Sequence, residues 1–520
     1  MNKNYCQQKL KPIKSGFSQT VSNNSKKAMQ KIKTFILLLS IISFVSCKKK
    51  QEKISIYKGQ DTQIDLYLKE CESNGFNGSL LIVKNDSIIL NKGYGFANKN
   101  KSIPNTPETV FDICSVTKQF TGAAIVKLVE EGQLKVTDSL SQYFKDIPLD
   151  KRGITIHQLL THSAGFGHGI GNGDFDHIPQ NIYFKELFSS QLRFKPGTNY
   201  SYSNSGYSVL GRIIELVSGK SYEDYLKEKL FEPSGMYHTG YLLPNWDNNS
   251  NANEYLYNVI NKGNHVSRYK QDGKIAWVLK ANGGINSTQN DMYKWYLALK
   301  NNNVLSESSI EKLTTPYVAE NEDESSHYGY GWAIFESNRN SKVISHNGFN
   351  GVSYYEFSWF PEEDALILFA TNTSTREASR IPYELEKMLF DSSYIAQHMP
   401  KSEVFQLLMF TENYSGDIEN LDKALKSNFE DLLKTPVPLN RLSGVYMREK
   451  RLDKAIYIAK LNTELFPDDG NIWDTMGDIY FNAKQNDKAI ESYQKAMELK
   501  PEEGDCFWCE NSQDKLEILK

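Results

Sequence analysis

The chain has 520 residues, of which 39% are hydrophobic, 12% aromatic and 24% charged. That length exceeds one compact core, so two or three domains are expected, and the apolar content excludes a chain that stays unfolded. A formal net charge of −3 excludes the basic excess of a nucleic-acid binder.

The first residues differ in character from the rest. Residues 1–28 are polar, and Met29-Gln30-Lys31-Ile32-Lys33 then leads into FILLLSIISFV (35–45) and Ser46-Cys47. A short basic stretch, an apolar run too brief to span a bilayer and a small residue before a possible cut form the layout of a secretory signal. Met29 is the expected true start. Val45-Ser46-Cys47 resembles the lipobox of bacterial lipoproteins, with Phe44 where leucine usually stands. The expectation is an N-terminal extension and signal peptide over 1–46, lipidation at Cys47 and a charged tether over 47–60. The product would be exported and held by a lipid anchor at the membrane of a bacterial cell envelope. Cys71, Cys114, Cys506 and Cys509 remain beyond the processed region. Cys506-Phe507-Trp508-Cys509 lacks a second pair for zinc, so a small local disulfide or two idle thiols is expected.

The globular part begins near Asp61. An amphipathic stretch to about Cys71 predicts a helix, and GSLLIVKND and SIILNKGYGFA predict two strands joined at Asn85-Asp86. Phe120, Ala123, Ala124, Val126, Leu128 and Val129 predict a helix from Ser115 that Gly132 stops. Thr288-Gln289-Asn290-Asp291 is a helix start of capping-box type before MYKWYLALK. Strand-like runs return at GYGWAIF, SKVISH, VSYYEFSWF and ALILFATN. Strands at both ends and helices between predict one sheet assembled from both ends of a domain spanning 61–392, an α/β or α+β layered fold. Beyond it, residues 400–520 read as an all-α module. A shift of 34 aligns Leu439 with Trp473, Leu442 with Met476, Tyr446 with Tyr480, Ala455 with Ala489 and Pro467 with Pro501. Trp473, Gly477, Tyr480, Ala489, Tyr493, Ala496 and Pro501 reproduce the spacing of a tetratricopeptide repeat, and the segment from Ser402 to Leu433 supplies a degenerate further one. Such a module either caps the neighbouring domain or offers a groove to a protein partner.

Three short segments carry chemistry. Ser115 and Lys118 lie three apart at a predicted helix start, so the amine reaches the hydroxyl on one face. The pattern recurs at Ser46, Ser55, Ser267, Ser309, Ser492 and Ser512; position before an apolar helix singles out Ser115. A serine is a poor nucleophile until a neighbour takes its proton, and lysine does so only when burial or nearby cations lower its pKa. Tyr202-Ser203-Asn204 supplies a phenol able to give and take protons beside a lysine, and an amide able to orient it. Ser345-His346-Asn347-Gly348 lies between two strands, its glycine allowing close approach to a substrate.

Ser115-x-x-Lys118, LLTHSAG (159–165), PGTNYSYSNSGYSVLG, FEPSGMYHT, NGGINSTQNDMYKW and His346-Asn347-Gly348 together resemble serine hydrolases related to class C β-lactamases and D-alanyl-D-alanine carboxypeptidases, over about residues 61–390. The resemblance implies a penicillin-recognising fold, an antiparallel sheet flanked by helices with a helical lobe. It implies Ser115 as the acyl-forming nucleophile, Lys118 and Tyr202 as partners in proton transfer, and Asn204 in substrate placement. Backbone N–H groups of Ser115 and Phe349 would form the oxyanion hole, with His346 and Gly348 lining the substrate. The β-lactamases of this family usually present Lys-Thr-Gly where this chain has His346-Asn347-Gly348. Without that fixed cation, small-molecule or peptide substrates carrying an amide or ester are expected in place of efficient β-lactam hydrolysis, and activity is expected to follow His346 ionisation between pH 5 and 8. A catalytically idle binding or scaffolding protein acting through its repeats is the alternative. His162, His168, Asp174, Asp176 and His177 crowd a glycine-rich stretch whose spacing matches no ligand motif; a loop beside the pocket is expected, with no metal and no cofactor. Gly283-Gly284 is expected to form a tight turn near the site.

Overall fold

A computed structural model describes residues 59–171, 173–246, 250–269, 275–373, 375–502 and 504–520. The signal, Met29, Cys47 and nearly all of the tether lie outside the described residues. Among the described residues no helix is long and apolar enough to cross a membrane.

Helix α1 (Gln60–Ser73) leads into strands β1 (Gly78–Lys84) and β2 (Ser87–Tyr94). Asn85 and Asp86 both take positive φ, 51° and 55°, the two left-handed residues that a tight right-twisted hairpin requires. The other strands come from far along the chain: β3 (Val318–Ala319), β4 (Ser326–Tyr328), β5 (Ala333–Glu336), β6 (Lys342–Phe349), β7 (Tyr354–Phe360) and β8 (Ala365–Thr371). They form one antiparallel sheet in the order β2-β1-β8-β7-β6-β5-β4-β3. The two ends of the domain meet at β1 and β8, in a register from Gly78 opposite Thr371 to Lys84 opposite Ala365.

Every residue of β8 is buried, because helices cover both faces of the sheet. Leu80, Ile82, Ile367 and Phe369 point to the face covered by α1 and a later helix, Ile381–Phe390, through Ile64, Leu68 and Leu385. Leu81, Val83, Leu366 and Leu368 point the other way into the main core. That core surrounds α2 (Thr117–Glu130), in which Phe120 is fully buried, its ring 5.0 Å from that of Phe231 and 4.8 Å from that of Trp295. Two further helices complete this lobe. α3 (Asn204–Ser218) is capped by Ser203, whose hydroxyl accepts from Gly206 N, and ends at left-handed Gly219. α4 (Gln289–Lys300) starts at Thr288, where the sequence predicts a helix start; Thr288 accepts from Asp291 N, while the Asp291 carboxylate accepts from His238 N and Lys294 Nζ in place of the return bond of a capping box.

Helix α5 (Ile381–Phe390) closes the sheet domain and α6 (Glu403–Asn413) begins an all-helical region. There α7 (Val437–Arg448) pairs with α8 (Leu452–Leu465), and α9 (Gly470–Asn482) with α10 (Asn486–Glu498). Leu439, Leu442, Tyr446, Ala455, Met476, Tyr480, Ala489 and Tyr493, the repeated positions of the sequence, share one core. Leu407 and Leu408 of α6 join it, as stacking requires of a helix pair that cannot bury its own apolar face. Cys506 and Cys509 are joined in a disulfide, and Cys71 and Cys114 are buried free thiols.

Candidate active site

A two-residue strand, Phe111–Asp112, pairs with Asn286–Ser287 and delivers the chain to a tight turn. Asp112 Oδ1 accepts a 2.7 Å hydrogen bond from Cys114 N, and Cys114 takes φ of 50°, a strained conformation for a side-chain-bearing residue. A short 3₁₀ turn, Cys114–Val116, follows and α2 begins at Thr117. Ser115 therefore stands at a helix entrance with its hydroxyl reaching the cleft, and Lys118 lies one turn on.

Lys118 is completely buried. Its Nζ lies 2.8 Å from Asn204 Oδ1, 2.6 Å from the carbonyl oxygen of Asn282 and 3.2 Å from Ser115 Oγ. Burial drives its pKa well below the ordinary lysine value, with the charge of Asp174 acting in the opposite direction. A neutral amine has two hydrogens and one lone pair. In the ammonium form Nζ donates to all three oxygens; in the neutral form the two oxygens at 2.6 and 2.8 Å take the hydrogens and the lone pair faces the Ser115 hydroxyl. The ring of Tyr202 sits over the same amine, its centroid 4.7 Å from Nζ. Burial raises the Tyr202 pKa above its normal value, and the Ser115 hydroxyl beside it works the other way. Desolvation thus works against the charged form of both groups, and so against a resting pair of phenolate and ammonium.

Strand β6 forms the opposite wall. At Gly348 a β-carbon would lie 2.4 Å from Ser115 N and 2.5 Å from Cys114 Cβ, so only glycine lets the strand pass this close to the nucleophile turn. This approach puts the next residue, Phe349, beside the cleft with its side chain exposed. The cleft, about 530 Å³, is lined by Ser115, Tyr202, Asn204, His346 and Phe349, and also by Glu320 and Glu356.

His346 lines the cleft but is nearly all buried. Its Nε2 lies 2.8 Å from the Tyr328 hydroxyl and its Nδ1 2.6 Å from the carbonyl of Asn347. Burial, reinforced by Lys118, lowers its pKa to about 3. The expected change of charge between pH 5 and 8 is therefore not supported: with both ring nitrogens engaged, His346 is a neutral wall.

One contributor, Asn282, was not singled out by the sequence, and two others, His162 and His168, were given no role at the amine. Asn282 supplies a backbone oxygen to Lys118, on the turn where Gly284 takes φ of 81°; the Gly283-Gly284 pair was the signal. His162, buried and held neutral chiefly by desolvation, packs its ring 4.3 Å from that of Tyr202 and accepts from Ser203 N through Nδ1 at 3.1 Å. It fixes the extended entry to α3 that carries both Tyr202 and Asn204. His168 Nε2 lies 3.3 Å from Asn204 Nδ2, so the glycine-rich loop lies beside the pocket as the sequence suggests.

The crowded loop residues do not assemble a ligand set. Among the described residues, the group of potential metal ligands that comes together is Asp112, Glu254 and His265, all buried. Asn350 Nδ2 donates to Asp112 Oδ2 at 2.7 Å and to Glu254 Oε1 at 2.6 Å. Its orientation is fixed because Oδ1 accepts from Val352 N and Ser353 N. The amide hydrogens thus point into the space between carboxylates that a cation would need, and the cluster is an internal hydrogen-bond network.

Comparison with known proteins agrees with this geometry. The β-lactamase family model matches residues 72–387, and the tetratricopeptide repeat model matches 470–503. A Bacillus subtilis (strain 168) protein named as a penicillin-binding protein, PbpX, is 30% identical over 354 residues, covering 66% of this chain and 82% of its own. The octameric penicillin-binding protein homologue from Pyrococcus abyssi superposes with a TM-score of 0.56 at 26% identity, over 68% of this chain and 82% of that one. D-amino acid amidase from Ochrobactrum anthropi SV3 shares the fold, with a TM-score of 0.55 at 19% identity over 64% of this chain and 99% of that one. An eight-stranded sheet, a buried lysine against a helix-entrance serine and these matches lead to one assignment: the chain belongs to the β-lactamase and penicillin-binding-protein-like family and carries a C-terminal tetratricopeptide module.

Proposed function

We propose that the protein is an exported serine hydrolase that cleaves peptide, amide or ester substrates through an acyl-Ser115 intermediate. The observation that carries the reading is the buried Lys118 amine, 3.2 Å from Ser115 Oγ and with its pKa driven far down. Ser115 Oγ attacks the substrate carbonyl carbon while its proton passes to Lys118 Nζ, and the carbonyl π electrons move onto oxygen. N–H groups of Ser115 and Phe349 hold that oxyanion, a contribution of roughly 10²–10³ in rate for each donor. As the tetrahedral centre collapses, the bond to the leaving amine or alcohol breaks, and the proton held at Lys118 reaches it through the Tyr202 hydroxyl. Water then repeats the sequence on the acyl-enzyme, its proton taken by the same amine, and releases the acid and Ser115.

The lining of the cleft supports a substrate without a carboxylate anchor. Glu320 and Glu356 are the acidic side chains there, and the neutral His346 occupies the place of the family's usual lysine. Amide and ester substrates that are uncharged or carry an amine fit such a wall better than anionic ones. A fluorophosphonate probe followed by mass spectrometry should place its adduct on Ser115, with hydrolysis of an ester and D-amino-acid amide panel lost in Ser115→Ala. Labelling at another residue, or undiminished hydrolysis in that variant, would refute the assignment. The membrane tether rests on Cys47 in the sequence; Cys47→Ala should release the protein into the soluble fraction, and unchanged attachment would exclude lipidation there.

A further inference from the structure

The hairpin formed by Asn253–Leu256 and Ile260–Asn264 belongs to the sheet domain, yet Leu256, Tyr257, Val259 and Ile260 at its tip pack into the core of the helical module. Lys262 Nζ reaches both carboxylate oxygens of Glu449, at the end of α7, at 2.7 and 2.8 Å. At the other end of the same hairpin Glu254 is buried, and His265 follows its second strand. Glu254 Oε1 accepts from Asn350 Nδ2 at 2.6 Å and from Ser353 Oγ at 2.8 Å. His265 Nδ1 lies 3.2 Å from Asp112 Oδ2. Asp112 in turn holds Cys114 N, immediately before Ser115, while Asn350 immediately follows Phe349. Asn350 also bonds Asp112 directly at 2.7 Å, tying the residue after Phe349 to the carboxylate that holds the turn before Ser115.

We propose that this hairpin is a positioning element through which the tetratricopeptide module sets the spacing of the oxyanion hole. The module holds the tip; Glu254 and His265 at the base hold Asn350 and Asp112; Asp112 holds Cys114 N, and Asn350 anchors the turn that follows Phe349. The inference rests on the acyl-Ser115 reading for its catalytic consequence. Its physical basis is independent, since each link is a short contact between buried or half-buried groups, where displacement of one partner leaves the next without its hydrogen bond. A ligand or partner that moves α7 against the hairpin would reach the nucleophile turn by this route.

The test uses the full chain and reads backbone amide hydrogen exchange in residues 112–117 and 346–353, with kcat and KM on a reactive ester as the second readout. Glu254→Gln keeps shape and removes the charge that Asn350 and Ser353 face. Lys262→Glu sets two carboxylates against each other at the tip. Both substitutions should raise exchange in the two segments by about tenfold, with a comparable loss in kcat at unchanged KM, as expected when transition-state stabilisation alone is lost. Adding Glu449→Lys to Lys262→Glu should restore both readouts. Unchanged exchange in the two segments would overturn the proposal, and so would a rise spread evenly over the chain, which marks general loss of stability. Exchange reports the coupling even in a chain that never acylates, whereas failure of wild type to take the fluorophosphonate probe would strike the hydrolase reading alone.

Discussion

Replacing Lys118 by Met gives a measurable account of the proton on which the mechanism depends. Burial holds the native amine well below its ordinary pKa, while in the unfolded chain it titrates near 10.4. Between those two values the unfolded state binds one more proton than the native state, so wild-type stability rises with pH by about 1.4 kcal/mol per unit and levels off above the unfolded value. The Met variant lacks this proton. It also strands Asn204 Oδ1 and the Asn282 carbonyl, which Lys118 now serves, at a cost of roughly 1–3 kcal/mol each. That cost does not depend on pH. It displaces the stability curve and leaves its slope untouched. Urea unfolding followed by tryptophan fluorescence between about pH 7.5 and 9.5 should therefore show the wild type gaining on Lys118→Met as the pH rises, by up to about 2–3 kcal/mol. A gap that stays constant across this range would mean that the amine is a normal ammonium in the fold, and Lys118 could not then serve as the resting base.

Three further substitutions test separate parts of the site. His346→Gln should leave the shape of the pH–rate profile between pH 5 and 8 unchanged, because the native imidazole titrates near 3 and is already neutral throughout that window; loss of a limb in that range would contradict its burial. Gly348→Ala drives a methyl group to 2.4 Å from Ser115 N and should lower kcat by about 10²-fold or more with a smaller effect on KM, measured by steady-state kinetics on an ester substrate. Phe120→Ala opens a cavity between Phe231 and Trp295 and should cost about 3–5 kcal/mol in chemical denaturation, while fluorophosphonate labelling of the folded fraction persists.

The parts of the molecule legible in the sequence are those set by neighbours along the chain. Asn85-Asp86 announces its hairpin because both residues tolerate positive φ, and the spacing of Ser115 and Lys118 places them on one face whatever surrounds them. The protonation states were not legible, because they are set by burial among side chains contributed from elsewhere. Lys118 is buried by Tyr202 and by Tyr207 of α3, with ring centroids 4.7 and 5.6 Å away, and by the Asn282 turn. His346 is silenced by its burial, with Lys118 acting in the same direction, while Tyr328 of β4 engages its Nε2. The network of Asp112, Glu254, His265 and Asn350 draws on three distant stretches of chain, none with a spacing that marks it.

A serine three residues before a lysine occurs seven times in this chain; among the described residues the lysines of the other pairs, Lys312, Lys495 and Lys515, are exposed or half-buried, and the difference from Lys118 lies in solvent. An exposed lysine keeps its proton near neutrality and has no lone pair to offer. At Lys118 the desolvation that makes the ammonium unfavourable is imposed by the same packing that supplies acceptors for the two hydrogens of the neutral amine. Either feature alone fails: burial without acceptors leaves N–H groups unsatisfied, and acceptors without burial favour the charged form. The base is therefore a property of the assembled lobe, in which α2 contributes the amine, α3 one oxygen and the Asn282 turn the other. Loosening any of the three at the amine itself, as through the loop that His162 steadies, returns the lysine to water and the serine to an ordinary alcohol.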